Sequence, residues 1–266
     1  MLRSMYSGIS GMKNFQTKLD VIGNNIANVN TFGFKKGRVT FKDMVSQTVS
    51  GATGAGNGVG GINPKQVGLG SQMSAIDTID TQGSLQTTGR ILDIGIQGDG
   101  YFKVQKGTNT FYTRAGNFYF DNTGNLVTAS GEKILDSTTP GNAITIANIS
   151  QIENLSIGAD GSISYVQGGT ASTGPTIGLA RFSNNGGLEK VGNNLYKSTA
   201  NSGPAQNVLP GTSGAGSLVS GSLEMSNVDL SEEFTEMIVA QRGFQANTRI
   251  ITTSDEILQE LVNLKR

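Results

Sequence analysis

The chain has no cysteine, no histidine and no tryptophan. Without cysteine there are no disulfides and no thiolate zinc sites, and without histidine there is no imidazole base and no common nitrogen ligand for a metal. Those gaps remove the usual nucleophile and base pairs of enzymes. The expectation is a protein that is not an enzyme and uses no metal or cofactor. Charge is sparse as well: 15% of residues are charged, 20 basic against 20 acidic, and the formal net charge is zero. A chain so balanced has no electrostatic footprint for nucleic acid or an anionic membrane. Long apolar runs are missing too, and no stretch approaches the roughly 18 residues of a membrane span. The opening MLRSMYSGISGMKNFQTKLD lacks an uninterrupted apolar core with a small-residue cleavage site after it, so it does not read as a secretory signal peptide. Absence of cysteine suits the cytosol, and equally a protein exported free of crosslinks.

What is present is an amphipathic pattern at both ends. Leu2, Met5, Ile9, Met12, Phe15, Leu19, Ile22, Ile26 and Val29 step by three or four and predict a long helix over residues 1–30 with a coiled-coil-like seam. Near the other end Asp229 followed by Glu232 reads as an N-cap with its capping-box partner. Beyond it Leu230, Met237, Phe244, Ile251 and Leu258 recur at sevens, while Ile250, Ile257, Leu261 and Leu264 line a second stripe. Lys265 and Arg266 suit the negative end of that helix's dipole. Two long terminal helices most simply pack on each other, and the extra stripe asks for partners outside the pair.

Between the helices the period changes to two. Tyr101 to Gln105, Thr110 to Arg114 and Phe118 to Phe120 are short aromatic and β-branched runs separated by turn residues, and an Asp160-Gly161 turn interrupts LSIGADGSISYV. TIGLARF and NNLYKS supply later strands. The fold class expected is α+β: a helical inner domain from residues 1–30 and 226–266, and an antiparallel β-rich outer domain over 76–205. Residues 31–75 and 206–225 are expected as extended, Gly-rich connectors, with ordered and disordered linkers both open from composition.

Other sites fail on chemistry. The glycine runs are followed by no Gly-Lys-Ser/Thr, which excludes a phosphate loop. Asp121, Thr123, Asn125 and Glu132 stand at positions 1, 3, 5 and 12 of a calcium loop, but position 6 is Leu126 where a glycine is needed, so a β-turn is expected. Asp93 and Asp99 have no nucleophile or electrophile beside them, and read as a strand residue and a turn.

With these features placed, the chain resembles the rod and hook family of flagellar axial proteins. The likeness rests on LDVIGNNIANVNTFGFKK, TTGRILDIGIQGDGYFKV, FYTRAGNFYFDNTGNLV and SNVDLSEEFTEMIVAQRGFQANTRI, which together run nearly end to end. Asn24, Asn25, Ala27, Asn28, Gly33, Phe34 and Lys35 match the family's N-terminal signature, and Gln241, Arg242 and Asn247 its C-terminal one. MIVAQRGFQAN, ILQELVNLKR and TTGRILDIGI look more like the hook protein, whereas the length and the Gly-rich insert at 50–72 look more like the distal rod protein. The sequence reading favours a short hook subunit, with distal rod as the alternative.

The resemblance implies a hollow homopolymer, with helices lining a channel, a β layer outside, and export through the flagellar secretion apparatus. It also implies adjoining rod, hook-cap and hook-filament junction proteins as partners, in the hook or basal body, with no nucleic acid and no membrane insertion. A hook would bend while transmitting torque to the filament; a rod would stay stiff. A surface carbohydrate-binding or adhesin module is the rival from another class, but it leaves the apolar stripes at both ends unexplained.

The N-terminal helix is built from poor helix formers. Gly8, Gly11 and Gly23 each cost about 1 kcal/mol relative to alanine, and Asn24, Asn25 and Asn28 compete for backbone groups. The expectation is a helix that is marginal alone and ordered by assembly. For the asparagines, bonding across subunits and local capping near Asn30 and Thr31 are both open.

Overall fold

The computed structural model describes residues 2–54, 60–138 and 141–264. The chain divides into two compact units, one made of residues 1–27, 37–78 and 229–266, the other of residues 28–36 and 79–228.

Helices α1 (Leu2–Ala27) and α2 (Leu230–Asn263) belong to the first unit. Asp229 caps α2 as its sequence position predicts, its carboxylate accepting from the backbone N–H groups of Ser231 and Glu232 at 2.8 and 3.4 Å. Helix α1 stops at Ala27, three residues short of the expected boundary: Asn28 and Val29 belong to the turns that follow, where Thr31 N–H donates to the Asn28 carbonyl at 3.1 Å. The apolar stepping runs past this stop because periodicity does not register the Asn28–Gly33 turn chemistry.

Most of residues 31–75, expected as connector, instead join a paired ribbon that spans 37–78. Strands β1 (Gly37–Asp43) and β4 (Ser71–Thr78) are antiparallel with a bulge at Thr40/Phe41, and β2 (Ser46–Ser50) and β3 (Lys65–Gly68) continue the pairing toward an isolated bridge between Thr53 and Ile62. Of the Gly-rich insert, residues 55–59 lie outside the described residues.

The second unit is all antiparallel. Its strands are β5 (Leu85–Thr87), β6 (Ile94–Gln97), β7 (Tyr101–Lys106), β8 (Asn109–Thr113), β9 (Phe118–Phe120), β10 (Leu126–Thr128), β11 (Lys133–Ile134), β12 (Ile152–Ile157), β13 (Ile163–Gln167), β14 (Thr170–Thr173), β15 (Leu179–Arg181), β16 (Glu189–Gly192), β17 (Leu195–Lys197), β18 (Gln206–Val208), β19 (Ser217–Ser220) and β20 (Ser222–Glu224). Strand β7 is the centre of the largest sheet: β8 pairs along one edge, while β15 and β11 share the other. Its alternation sends Phe102 and Val104 into a core with Ile94, Ile96, Phe118, Ile134 and Leu179, and Tyr101 to the opposite face against Tyr112, Phe182 and Tyr196. The Phe102 and Phe118 rings meet edge to face at 4.9 Å. The expected C-terminal connector, 206–225, supplies β18, β19 and β20, which pair with β15, β6 and β5. The β unit therefore runs on to Val228.

The Asp turns form as read. The Asp121 carboxylate accepts from the N–H and hydroxyl of Thr123 and from the backbone and side-chain amides of Asn125, at 2.8–3.0 Å. These bonds hold the carboxyl well below the usual range and turn its oxygens inward on the loop. Asp93 is buried, paired to Arg90 at 3.0 Å, and its carbonyl accepts from Gly221 and Ser222.

Candidate assembly interface

The two helices pack antiparallel, because contacts run to lower numbers in α2 as they rise in α1. Gly8 faces Ile251, Gly11 faces Asn247, Gly243 faces Phe15, and the Lys18 ammonium pairs with Glu236. Here the glycines have a positive use. A Cβ on Gly243 would lie 2.5 Å from the Phe15 ring, and one on Gly11 would lie 2.7 Å from the Asn247 side-chain oxygen. Gly23 is different, since a Cβ there would have no atom within 4 Å of it. At Gly11 and Gly243 the missing Cβ leaves room for the Asn247 side chain and the Phe15 ring.

The expected interface residues separate into groups. Ile22 is buried, and Met5, Met12, Phe15, Leu19, Ile26, Met237, Phe244, Ile251 and Leu258 are half-buried. Ile9, Leu230, Leu261, Gln241 and Arg242 are exposed. The second stripe predicted for α2 is open too: Ile250, Ile257 and Leu264 are exposed, joined by Phe234, Ile238, Val239 and Val262, which the heptad reading did not pick out. Their signal was present, since each is a large apolar residue on a helix, but a heptad template looks only along one seam. The side chain of Leu2, with Lys265 and Arg266, falls outside the described residues.

The asparagines do not act alike. Asn25 is buried, its side-chain oxygen accepting from Gly37 N–H at 2.9 Å and its amide donating to the Gly37 carbonyl at 2.9 Å and to Glu233 at 3.1 Å. It staples α1, β1 and α2 within one chain, so its amide is not presented to a neighbour. The Asn28 side chain accepts from the Thr31 hydroxyl at 3.1 Å, the local role. Asn247 donates back to the Gly243 carbonyl at 2.8 Å, and Asn24 is exposed.

The rest of the N-terminal signature enters the β unit. Gly33 has φ of +67° and donates to the Glu224 carbonyl at 2.8 Å. Lys35 is only 1% exposed, yet its ammonium meets Glu224 at 2.7 Å and the Thr81 carbonyl at 2.8 Å, with Asp80 3.9 Å away. Burial pushes the Lys35 ammonium below its ordinary range, Arg114 adds to that, and Glu224 works against it. The Arg114 guanidinium reaches the other Glu224 oxygen at 3.2 Å and the Gly98 carbonyl at 2.9 Å, and Tyr101 donates to Asp80 at 2.8 Å. Sequence reasoning missed this cluster because its members stand at positions 35, 80, 114 and 224.

Three family models match, described as "Flagella basal body rod protein" over residues 5–35, "Flagellar hook protein FlgE/F/G D1 domain" over 95–165 and "Flagellar basal body rod FlgEFG protein C-terminal" over 219–264. The flagellar basal-body rod protein FlgG of Bacillus subtilis is 62% identical over 268 residues, covering all of both chains. The chain belongs to the flagellar rod and hook family. It is accordingly a structural protein of the flagellum, with an α+β fold as expected. The FlgG of Borreliella burgdorferi is 39% identical over 274 residues, with complete coverage of both. The flagellar hook protein FlgE of the same organism is 32% identical, also with complete coverage, but over 441 aligned positions. That span exceeds the 266 residues here, so the hook relative carries segments this chain lacks. Identity and length along the whole chain therefore favour the distal rod alternative over the hook subunit that MIVAQRGFQAN, ILQELVNLKR and TTGRILDIGI suggested. Among the described residues no helix is long and apolar enough to cross a membrane.

Proposed function

We propose that this chain is a distal rod subunit, a non-enzymatic building block that polymerises into the stiff hollow drive shaft of the flagellar basal body. The observation that carries the reading is end-to-end identity of 62% with a rod protein of matching length, against 32% with a longer hook protein. Exposed apolar side chains on both helices support polymerisation: Tyr6 and Ile9 on α1, and Phe234, Ile238, Val239 and Leu261 on α2, lack cover within the chain. In the polymer these faces pack in coiled-coil fashion on neighbouring copies and line the channel, and the β unit lies outside. Completion of the helical layer by neighbours leaves it less ordered in the free subunit than in the tube. Adjoining rod and hook segments are its axial partners, and the flagellar export apparatus delivers it.

Electron microscopy of cells lacking the protein tests the choice. Truncation within the cell envelope supports a rod subunit. A complete envelope-spanning rod that ends where the hook would begin sinks the reading in favour of the hook.

A further inference from the structure

Segment 28–36 lies in a slot of the β unit, although it is continuous in sequence with α1 before it and β1 after it. Two features define what the slot accepts. At Gly33 a Cβ would lie 2.7 Å from the backbone of both Arg114 and Ala115, and the positive φ further disfavours any other residue. Two positions on, the Lys35 ammonium meets two carboxylates, Glu224 and Asp80, that Arg114 alone does not balance. Emptied of Lys35, the cluster keeps Asp80, Glu224 and Arg114 and has a net charge of −1 in a place water barely reaches. The slot is also clasped from outside: Lys190 donates to the Lys35 carbonyl at 2.9 Å and stands over the Phe34 ring at 5.0 Å, and Asn194 donates to the Phe32 carbonyl at 3.2 Å. From the far end of the chain, Asn227 accepts from Lys36 N–H at 2.8 Å, and its side-chain amide donates to the Ile79 carbonyl at 2.8 Å.

We propose that the Gly33–Lys35 plug is an electrostatic lock on the β unit, which reaches its final packing only when this N-terminal segment and the Glu224 strand are both seated. The lock goes beyond the rod reading and does not rest on it. A buried ion cluster is weak as net stabilisation, since desolvation offsets much of the attraction, but removing one member leaves a charge stranded. Its use is therefore selective: a chain with one end displaced pays for an unbalanced charge inside its β unit, and a correctly closed chain does not.

Amide hydrogen exchange on the full-length chain tests the proposal, comparing wild type with Lys35→Met, Gly33→Ala and the double variant Lys35→Met/Asp80→Asn. The asparagine keeps an oxygen for the Tyr101 hydroxyl and returns the cluster to zero charge. Lys35→Met and Gly33→Ala are expected to speed exchange in β20 and at the Arg114 end of β8 by on the order of a hundredfold. The double variant is expected to recover at least about tenfold of that loss. Faster exchange confined to residues 28–36, or a double variant no better protected than Lys35→Met, overturns the lock. If Lys35→Met fails to fold, the double variant decides: a folded double variant upholds the proposal, and an unfolded one overturns it.

Discussion

The β unit and the helical unit treat apolar side chains in opposite ways. In the β unit Phe102, Val104, Phe118, Ile94 and Ile96 are completely buried, and each strand face that carries them is covered by the same unit. In the helical unit several large apolar side chains of α2 stand outside: Phe234 is 50% exposed, Ile238 59% and Val262 66%. A helix with apolar residues around most of its circumference is a buried helix. The β unit covers its own apolar core, whereas the helical unit exposes apolar side chains that, under the proposed rod assembly, neighbouring copies cover. The ribbon of β1–β4 shares that character, with Phe41, Val49, Val67, Met73 and Ile76 exposed on a two-stranded element that is marginal alone.

The comparison can be broken most forcefully in the β core. Phe102→Ala should cost about 3–5 kcal/mol in denaturant unfolding; a loss below about 1 kcal/mol would mean that the unit is not the tightly packed partner. Next in size is Asn25→Ala, which strips hydrogen bonds from Gly37 and from buried Glu233 and should destabilise the helical unit by about 1–3 kcal/mol. An unchanged unfolding midpoint would return Asn25 to the role of a contact between subunits.

Two glycine substitutions of identical chemistry should then differ in sign. Gly243→Ala gains helix propensity but collides with the Phe15 ring, and is expected to destabilise by about 1–3 kcal/mol. Gly23→Ala meets nothing and is expected to stabilise the free chain by up to about 1 kcal/mol. Thermal melts of both variants read this directly, and equal effects would remove the claim that glycine serves helix contact. The smallest effect on the isolated chain belongs to Phe234→Ser, within about 0.5 kcal/mol of wild type. The same variant should fail to polymerise in a sedimentation assay; normal polymers would leave the exposed face of α2 without its purpose.

Legibility in the sequence followed range. The Asp229 cap, the Asp121 turn and the β7–β8 hairpin are made by residues a few positions apart, and each forms where its residues predict. The β1–β4 ribbon was read as connector because its glycines and exposed apolar residues give no buried stripe, and its pairing joins Gly37 to Thr78 across the intervening loop. The same holds for β18, β19 and β20, short strands whose partners lie far back in the chain. Gly11 was visible as a poor helix former, but its value, like that of Gly243, lies in what faces it, Asn247 for the first and Phe15 for the second.

By itself the sequence determined the two helices, the antiparallel middle, the turns and the family, because propensity, capping and apolar period are properties of neighbouring residues. Only the tertiary structure decided that Asn25 bonds within the chain, that glycines admit a second helix, and that Lys35, Asp80, Arg114 and Glu224 meet in one buried place. Those outcomes depend on which distant groups share a low-dielectric interior, where an unmatched charge or an extra methyl is costly, and no local pattern encodes that company.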